Sequence, residues 1–199
     1  MFTDDEIIRS VLEGNTRNFE SLIARHGKKM INFINRMIFD PDEAQNIAQD
    51  VFLRVYETLP YYKPENNFSA FLFKIAKNQT LNWIKKNKRM VFFSRMMGQD
   101  LRGGRFTSGE NPERTVEDRQ QEGLLTEGLR GLSEDQRLAL VLKVYLDFSY
   151  RQIAGITGWS EPKIETLISR AKSALKKYIA LQEKGSADCF HKRGKNHDV

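Results

Sequence analysis

Apolar residues recur at helical spacing in almost every segment of this chain. In one long segment the apolar face consists of Phe19, Leu22, Ile23, His26, Met30, Phe33, Ile34 and Met37. In the next it consists of Ala44, Ile47, Ala48, Val51, Phe52 and Val55, and four other residues face away from it, namely Asn46, Gln49, Asp50 and Leu53. A repeat of about 3.6 residues is typical of amphipathic helices, so we predict an all-α fold. His26 is expected to be a packed core residue rather than a metal ligand.

Polar residues at the starts of these segments predict where the helices begin. The capping-box pattern, in which a hydroxyl side chain is followed three residues later by Glu or Gln, occurs at residues 3–6, 133–136 and 149–152. Asp40 is a candidate N-cap, with Pro41 in the first turn and Glu43 as a capping acid.

The helix expected to begin near Phe68 has an apolar side and a basic side. Its apolar side holds Leu72, Ile75, Ala76, Gln79 and Trp83. Nearly opposite lies a set that we call the lysine stripe, made of Lys74, Lys77, Asn78, Leu81, Lys85 and Lys88. From Leu72 to Arg89 the chain has six basic residues and no acidic ones, so this segment alone accounts for the net charge of +6. Such a patch favours nucleic acid as the partner, although a solvated helix face gives the same pattern.

The periodicity stops between residues 94 and 111, where the chain is rich in glycine, serine and basic residues. This composition predicts a flexible linker. We therefore expect one helical module over residues 1–93 and a second over 112–183. Residues 184–199 form a polar, basic tail that we interpret as disordered.

The second module is predicted to end in two helices of unequal length. The first would run from Ser149 to Gly158, and the second would follow Ser160, with Pro162 in its first turn. A short helix, a tight turn with glycine and a longer basic helix make up the helix-turn-helix plan. The candidate core of this pair is Ile153, Ala154, Ile156, Ile164, Leu167 and Ile168. Such helix pairs also occur in proteins that do not bind DNA, but the basic helix upstream favours DNA binding.

Several classes of protein do not fit this sequence. No apolar run is long enough to span a bilayer, and the acidic start MFTDDEII lacks the pattern of a signal peptide, so we expect a cytoplasmic protein without membrane insertion. The single cysteine, Cys189, excludes an internal disulfide, and with His191 and His197 it lacks the spacing of a four-ligand metal site. There is no glycine-rich phosphate loop and no clustered acid-base pair. We therefore expect no enzyme activity, cofactor or metal.

Three stretches of the chain resemble a known family. Residues 42–53 (DEAQNIAQDVFL) resemble the polymerase-binding helix of sigma factors, and residues 68–78 (FSAFLFKIAKN) resemble the segment that follows it in the extracytoplasmic-function group. The region from Leu132 to Ala171 is similar to the promoter-binding helix-turn-helix of that group. The resemblance covers about residues 19–178, with the motifs in the expected order.

The resemblance implies a function and a set of contacts. The first module would bind the clamp helices of the largest polymerase subunit through Asn46, Gln49, Asp50 and Leu53, and the family usually has an acid where Asn46 stands. A flipped base of the minus-ten element would be captured by Tyr61, Tyr62, Lys63, Asn66, Asn67, Phe68 and Ser69. The DNA backbone would be held by Lys74, Lys77, Asn78 and Lys85. The resemblance also implies a contact with the polymerase flap region and an anti-sigma factor as a regulatory partner.

The same resemblance places the second module in the major groove of the minus-thirty-five element. The implied contact residues are Ser149, Tyr150, Arg151, Lys163, Glu165, Thr166, Ser169 and Arg170. The family often has basic residues where this chain has Glu165 and Leu167, so the base sequence that it recognises is not implied. An alternative is a helix-turn-helix regulator that acts without polymerase, which would explain the second module but not the motif at residues 42–53.

Overall fold

The computed structural model describes residues 2–63, 67–96 and 116–193, with side chains over 2–63, 67–88 and 123–182. All regular elements in these ranges are helices, which confirms the predicted all-α fold. The α-helices are α1 (Asp4–Leu12), α2 (Phe19–Ile38), α3 (Pro41–Thr58), α4 (Phe68–Met96), α5 (Val116–Arg130), α6 (Glu134–Val144), α7 (Tyr150–Thr157) and α8 (Glu161–Arg193). Two short 3-10 turns lie at Thr16–Asn18 and Leu59–Tyr61.

Helices α1 to α4 form the first bundle, and the local signals for their starts are confirmed. Thr3 caps α1 in a complete capping box with Glu6. The carboxylate of Asp40 accepts a hydrogen bond from the backbone N–H of Glu43 at 3.0 Å, and Pro41 is the first residue of α3. All six residues predicted to face inward on α3 are buried. On α2, Ile23 is the exception to the predicted face, because its side chain is exposed.

The junction between α2 and α3 contains an unusual backbone conformation. Phe39 ends α2 in the left-handed region, with φ of 59°. Glycine is the common residue at such an end, because a side chain in this region costs about 1 kcal/mol or more. The ring of Phe39 lies beneath two guanidinium groups of the second bundle, with centroid distances of 4.9 Å to Arg130 and 4.6 Å to Arg137. The strained turn therefore directs an aromatic ring into the contact between the bundles.

Helices α5 to α8 form the second bundle, and α8 packs against the other three. Gly128 lies where α5 approaches α8 most closely, since a Cβ atom there would come within 2.8 Å of the Leu175 side chain. Capping boxes at Ser133 and Ser149 start α6 and α7 as predicted. Gly158 ends α7 with φ of 77°, which closes the predicted helix-turn-helix before α8 begins.

The two bundles contact each other directly, through α2 with α6 and α4 with α7. Arg137 of α6 donates a hydrogen bond from Nη1 to the carbonyl oxygen of Met37 at 2.7 Å, which satisfies a carbonyl in the last turn of α2. The guanidinium of Arg36 stacks over Tyr145 at 3.9 Å. We call this set of contacts the inter-bundle interface.

The buried side of α4 is wider than the periodicity predicts. On the predicted apolar side Leu72 and Ala76 are buried, and Ile75, Gln79 and Trp83 are half-buried. Three residues outside that side are also buried, namely Phe73, Thr80 and Ile84. The ring of Phe73 meets Phe33 of α2 at 5.4 Å and Phe148 of the second bundle at 5.5 Å. Helix α4 is therefore packed on two sides, whereas the sequence pattern predicts one.

The boundaries between the modules differ in part from the prediction. Helix α4 continues to Met96, three residues into the segment predicted to be a linker, and residues 97–115 lie outside the described residues. Helix α8 continues to Arg193, so the expectation of disorder from residue 184 is wrong for residues 184–193. This stretch has no proline, and Lys184, Ala187, Lys192 and Arg193 favour a helix, so the helix continues through it even though Gly185 is a poor helix former.

Candidate polymerase and promoter interfaces

One exposed face of α3 carries the residues expected to bind polymerase. Asn46, Gln49, Asp50 and Leu53 are all exposed, and their spacing places them on the same side of the helix. Leu53 is 61% exposed, which is unusual for an apolar side chain in the middle of a helix of this bundle. Tyr56, one turn further on, is 40% exposed and was not singled out from the sequence. The face therefore combines polar groups with two large, partly exposed apolar side chains, of which Tyr56 also packs its ring edge-on against Phe19 at 5.2 Å.

The start of α3 is attached to α4 by a polar contact. Trp83 donates a hydrogen bond from Nε1 to a carboxylate oxygen of Glu43 at 3.0 Å. Glu43 was predicted to cap α3, but its side chain is used here to connect two helices. The other carboxylate oxygen of Glu43 accepts a longer hydrogen bond of 3.5 Å from the Asn46 amide. The exposed face of α3 is therefore held at a fixed angle to the helix that carries the lysine stripe.

The expected minus-ten residues divide into exposed and buried groups. Tyr61 is 83% exposed, Lys63 and Asn67 are exposed, and Ser69 is half-buried. Asn66 lies outside the described residues. Tyr62 and Phe68 are buried, and their rings pack against each other at 5.7 Å. This corrects the expectation for Tyr62 and Phe68, because a buried ring has no free face on which a base can stack.

The lysine stripe is exposed along part of its length. Lys74, Asn78 and Lys85 are exposed. Lys77 is half-buried, and burial, followed by the nearby charge of Lys74, holds its pKa below the ordinary value. Lys88 pairs with Glu134 at the start of α6. The second bundle therefore engages Lys88, at one end of the stripe.

Three expected DNA contacts lie at the start of α7. The Ser149 hydroxyl is the helix cap, and it accepts a hydrogen bond from the backbone N–H of Gln152 at 3.2 Å. Tyr150 is half-buried, with the Lys143 ammonium 5.8 Å from its ring centre. Arg151 is exposed. Arg151 is therefore the most accessible of the three for a phosphate.

The recognition helix, α8, presents one polar face to solvent. Glu165, Thr166, Ser169 and Arg170 are exposed, while Ile164, Ile168 and Ala171 are buried against the bundle. Among the described residues Glu165 forms no ion pair, so Arg170 does not neutralise it. Leu167 is half-buried and supports the core of the motif rather than facing solvent. The two departures from the family pattern therefore differ: Glu165 faces solvent, whereas Leu167 packs toward the core.

Lys163 begins the same face but already has partners. Its ammonium lies 3.6 Å from a carboxylate oxygen of Asp135 and 4.4 Å from the ring centre of Trp159. The Thr166 hydroxyl donates to the Pro162 carbonyl oxygen at 2.9 Å. These local contacts hold the first turns of α8 in a defined orientation.

Two kinds of site are absent from the described residues. Within residues 2–63, 67–88 and 123–182, no group of three His, Cys, Asp or Glu side chains could hold a metal ion. The side chains of Cys189, His191 and His197 lie outside that part of the chain. No helix among the described residues is long and apolar enough to cross a membrane.

Comparison with known proteins identifies both bundles. The family described as sigma-70 region 2 matches residues 22–90, and the family described as sigma-70 region 4 matches residues 122–175. The two matches cover the first and the second bundle respectively. They are in the order that the sequence motifs predicted.

Several curated proteins are similar over most of their length. The RNA polymerase sigma-H factor of Pseudomonas aeruginosa is 28% identical over 183 residues, which cover 88% of this chain and 93% of the relative. The RNA polymerase sigma factor YlaC of Bacillus subtilis is 25% identical, over 80% of this chain and 91% of the relative. The sigma-E factor of Escherichia coli, of the extracytoplasmic-function group, is 24% identical, over 87% and 92%.

Two solved structures share the fold. One is CnrH in complex with the cytosolic domain of CnrY, with a TM-score of 0.66, 20% identity and coverage of 88% of this chain and 96% of that chain. The other is the sigma factor RpoE in complex with the anti-sigma factor NepR from Bartonella quintana, with a TM-score of 0.67, 22% identity and coverage of 82% and 98%. The fold of both bundles is thus that of known sigma factors. The chain belongs to the extracytoplasmic-function group of sigma-70 factors, which bind core RNA polymerase and direct promoter-specific initiation of transcription.

Proposed function

We propose that the exposed face of α3 is the surface through which this sigma factor binds the clamp helices of core polymerase. The observation that carries this proposal is the exposure of Leu53 and Tyr56 beside Asn46, Gln49 and Asp50. Apolar side chains surrounded by polar ones are typical of a contact surface, because they contribute to binding only when a partner covers them. The adjacent amide and carboxylate groups supply directional contacts.

A matched pair of leucines tests this proposal. Leu53 and Leu181 have nearly the same exposure, at 61% and 59%, but Leu181 lies far along α8. Leu53→Ala is expected to weaken binding of core polymerase by about tenfold, which is about 1.4 kcal/mol, whereas Leu181→Ala leaves it unchanged. Fluorescence titration of the labelled sigma factor with core polymerase measures both. Equal affinities for the two variants would place the polymerase contact elsewhere.

The minus-ten element is assigned to the loop before α4 and to the lysine stripe. Tyr61 supplies an exposed ring for a base, with Lys63, Asn67 and Ser69 beside it. An unpaired base suits such a site, because stacking on an aromatic ring and hydrogen bonds to base edges need a strand free of its complement. Lys74, Lys77, Asn78 and Lys85 are assigned to the phosphates that follow. Full use of the stripe requires the end of α4 to separate from the second bundle, because Lys88 pairs with Glu134 of α6.

The minus-thirty-five element is assigned to the exposed face of α8. Glu165, Thr166, Ser169 and Arg170 face outward together, and Arg151 of α7 lies ready for a phosphate. Helix α8 would enter the major groove with this face toward the base edges, as second helices of this motif do. A carboxylate in that position accepts a hydrogen bond most naturally from a cytosine amino group.

Regulation by a protein partner is the last part of the proposal. Among the solved structures with this fold, RpoE is bound to an anti-sigma factor and CnrH to the cytosolic domain of CnrY. We assign to this chain a partner of the same type, which would hold it inactive. The site of action is the cytoplasm, where polymerase and DNA are found, and the polymerase rather than this chain performs the chemistry. A polymerase-independent regulator is not favoured, because the region 2 match covers a bundle that such a protein does not need.

A further inference from the structure

The acidic first turn of α1 contacts Tyr62, at the start of the loop that precedes α4, and two residues of α2. Asp4 pairs with the guanidinium of Arg25 through one carboxylate oxygen, and the other lies 2.9 Å from Nε2 of His26. Asp5 accepts a hydrogen bond from the hydroxyl of Tyr62 at 3.0 Å. These two neighbouring acids thus connect α1 to α2 and to the residue on which the loop begins.

The contacts continue through aromatic rings to the other end of the loop. The His26 ring meets Phe68, the first residue of α4, at 5.5 Å in an edge-to-face arrangement. Tyr62 meets Phe68 at 5.7 Å and Phe71 at 5.2 Å. Tyr62 and Phe68 are the residues on either side of the segment 63–67. Both flanks of this segment are therefore fixed against α1, directly by Asp5 and through His26 by Asp4.

The side chains that make these contacts are shielded from water. Tyr62 is only 8% exposed, so its hydroxyl has little access to water, and the hydrogen bond to Asp5 satisfies it inside the protein. Burial, and then the hydrogen bond to Asp5, raise the pKa of Tyr62, so the hydroxyl remains protonated and continues to donate. The side chains of Asp4 and His26 are also mostly shielded, at 21% and 9% exposure.

The residues next to these anchors are the ones assigned to the minus-ten base. Tyr61 precedes the anchored Tyr62 and is highly exposed, and Asn67 precedes the anchored Phe68 and is exposed. A binding residue whose neighbour is fixed loses less conformational freedom when the ligand arrives, which favours affinity and selectivity. Fixing both flanks also sets the distance between the two sides of the site.

We propose that Asp4 and Asp5 are positioning residues for promoter recognition, because they fix Tyr62 and Phe68, the direct neighbours of Tyr61 and Asn67, which are assigned to the minus-ten base. Neither acid touches DNA in this role, and each acts through Tyr62 or His26. The inference rests on the proposed assignment of the minus-ten element to this loop. It predicts that loss of these contacts reduces discrimination between bases more than it reduces binding of polymerase.

The test uses the full-length chain assembled with core polymerase. Wild-type holoenzyme first selects single strands from a random DNA pool, and variants with one base changed are then made from the selected strand. The preference for the selected strand over each variant is measured at fixed salt for Asp5→Ala, Tyr62→Phe and the double variant. Tyr62→Phe keeps the ring contacts and removes only the hydroxyl, so it decides the question if Asp5→Ala does not fold.

We expect each single variant to reduce the preference at one base by about fivefold to tenfold, with core polymerase affinity unchanged. The double variant is expected to lose no more than either single variant, because both remove the same hydrogen bond. Glu13→Ala, which removes an exposed acid from the other end of α1, is the matched control and should keep the wild-type preference. Unchanged preferences in Asp5→Ala and Tyr62→Phe, or losses that multiply in the double variant, would overturn the proposal.

The variant Tyr61→Ala tests the assignment of the minus-ten element to this loop separately from the positioning role of Asp4 and Asp5. If Tyr61→Ala leaves binding of the selected strand intact, the loop is not the minus-ten site and both ideas fail. If Tyr61→Ala weakens binding while Asp5→Ala and Tyr62→Phe keep the wild-type preference, only the positioning role fails. Asp4→Asn, which removes the charge that faces Arg25 and His26, extends the same measurement to the second flank.

Discussion

The two surfaces assigned to promoter DNA differ in how they are built and in how accessible they are. The lysine stripe on α4 has cations and no acids, Lys77 in it is half-buried, and Lys88 pairs with Glu134 of the second bundle. The polar face of α8 is exposed at Glu165, Thr166, Ser169 and Arg170, and it mixes both signs of charge. A cationic row binds phosphates of any sequence, whereas a mixed face can distinguish base edges. The surface suited to general attraction is thus the one that is partly covered.

The largest effect is expected from the acid on α8. If Glu165 contacts a base edge, Glu165→Lys should change the preferred minus-thirty-five sequence, with a difference of about 1–3 kcal/mol at one base pair. Selection of promoters from a library randomised at that element, with both proteins, measures the change. Uniformly tighter binding with the same preferred sequence would show that Glu165 only repels phosphates, and the two DNA surfaces would then differ in charge alone.

The next largest effect concerns the cover over the lysine stripe. Arg36→Met should shift the chain toward separated bundles, because it removes the stacking of Arg36 on Tyr145, which is worth about 0.5–1 kcal/mol or more when shielded. Arg137→Met should have a stronger effect, since Arg137 donates to the Met37 carbonyl oxygen and lies over Phe39. A charge-assisted hydrogen bond contributes about 1.5–3 kcal/mol. We expect faster chemical acetylation of Lys88, which pairs with Glu134 of the second bundle, and up to about tenfold tighter DNA binding by the free protein.

Two controls make this experiment decisive. Arg17→Met removes an exposed arginine from outside the inter-bundle interface and should change neither quantity. Arg137 also donates to the Leu132 carbonyl oxygen inside its own bundle, so Arg137→Met can also destabilise the second bundle. Arg36→Met does not remove that bond, so an effect seen in both variants comes from the inter-bundle interface. Wild-type acetylation of Lys88 in both interface variants would mean that the second bundle does not engage the stripe in solution.

The smallest effect is expected from single lysines of the stripe. Each of Lys74→Ala, Lys77→Ala and Lys85→Ala should reduce the salt dependence of promoter binding by about 0.7–0.9 in slope, because one phosphate contact is lost. The loss should be similar for different promoters, and Lys28→Ala, an exposed lysine of α2, should change nothing. A large loss at one promoter and none at another would show that the stripe also recognises sequence.

The elements with local signals were predictable from the sequence. Capping boxes at Thr3, Ser133 and Ser149 mark helix starts, and Gly158 marks the turn between α7 and α8, because each of these signals acts within a few residues. The exposed positions of the polymerase face followed from the apolar period of α3. These features needed no knowledge of what packs against the helix.

The contacts between distant parts of the chain were not predictable in the same way. Nothing in the pattern around Arg137 indicates a bond to a carbonyl 100 residues earlier, and nothing around Asp5 indicates the hydroxyl of Tyr62. Tyr62 was expected to meet a base because the family resemblance implies it, whereas in the structure its ring packs against Phe68 and Phe71 and its hydroxyl donates to Asp5. The exposed ring of Tyr56 could have been found by extending the polar face of α3 by one further turn.

The separation of these contacts along the chain sets an order of assembly during synthesis. The partners of Asp4 and Asp5 lie 21 to 57 residues away, whereas the bond between Arg137 and Met37 spans 100. Translation proceeds at about 5–20 residues per second, and domains generally fold as units from the N-terminus. The contacts of Asp4 and Asp5 can therefore form several seconds before α7 is made. During that interval the nascent chain presents Lys88 without the carboxylate partner that the second bundle later supplies.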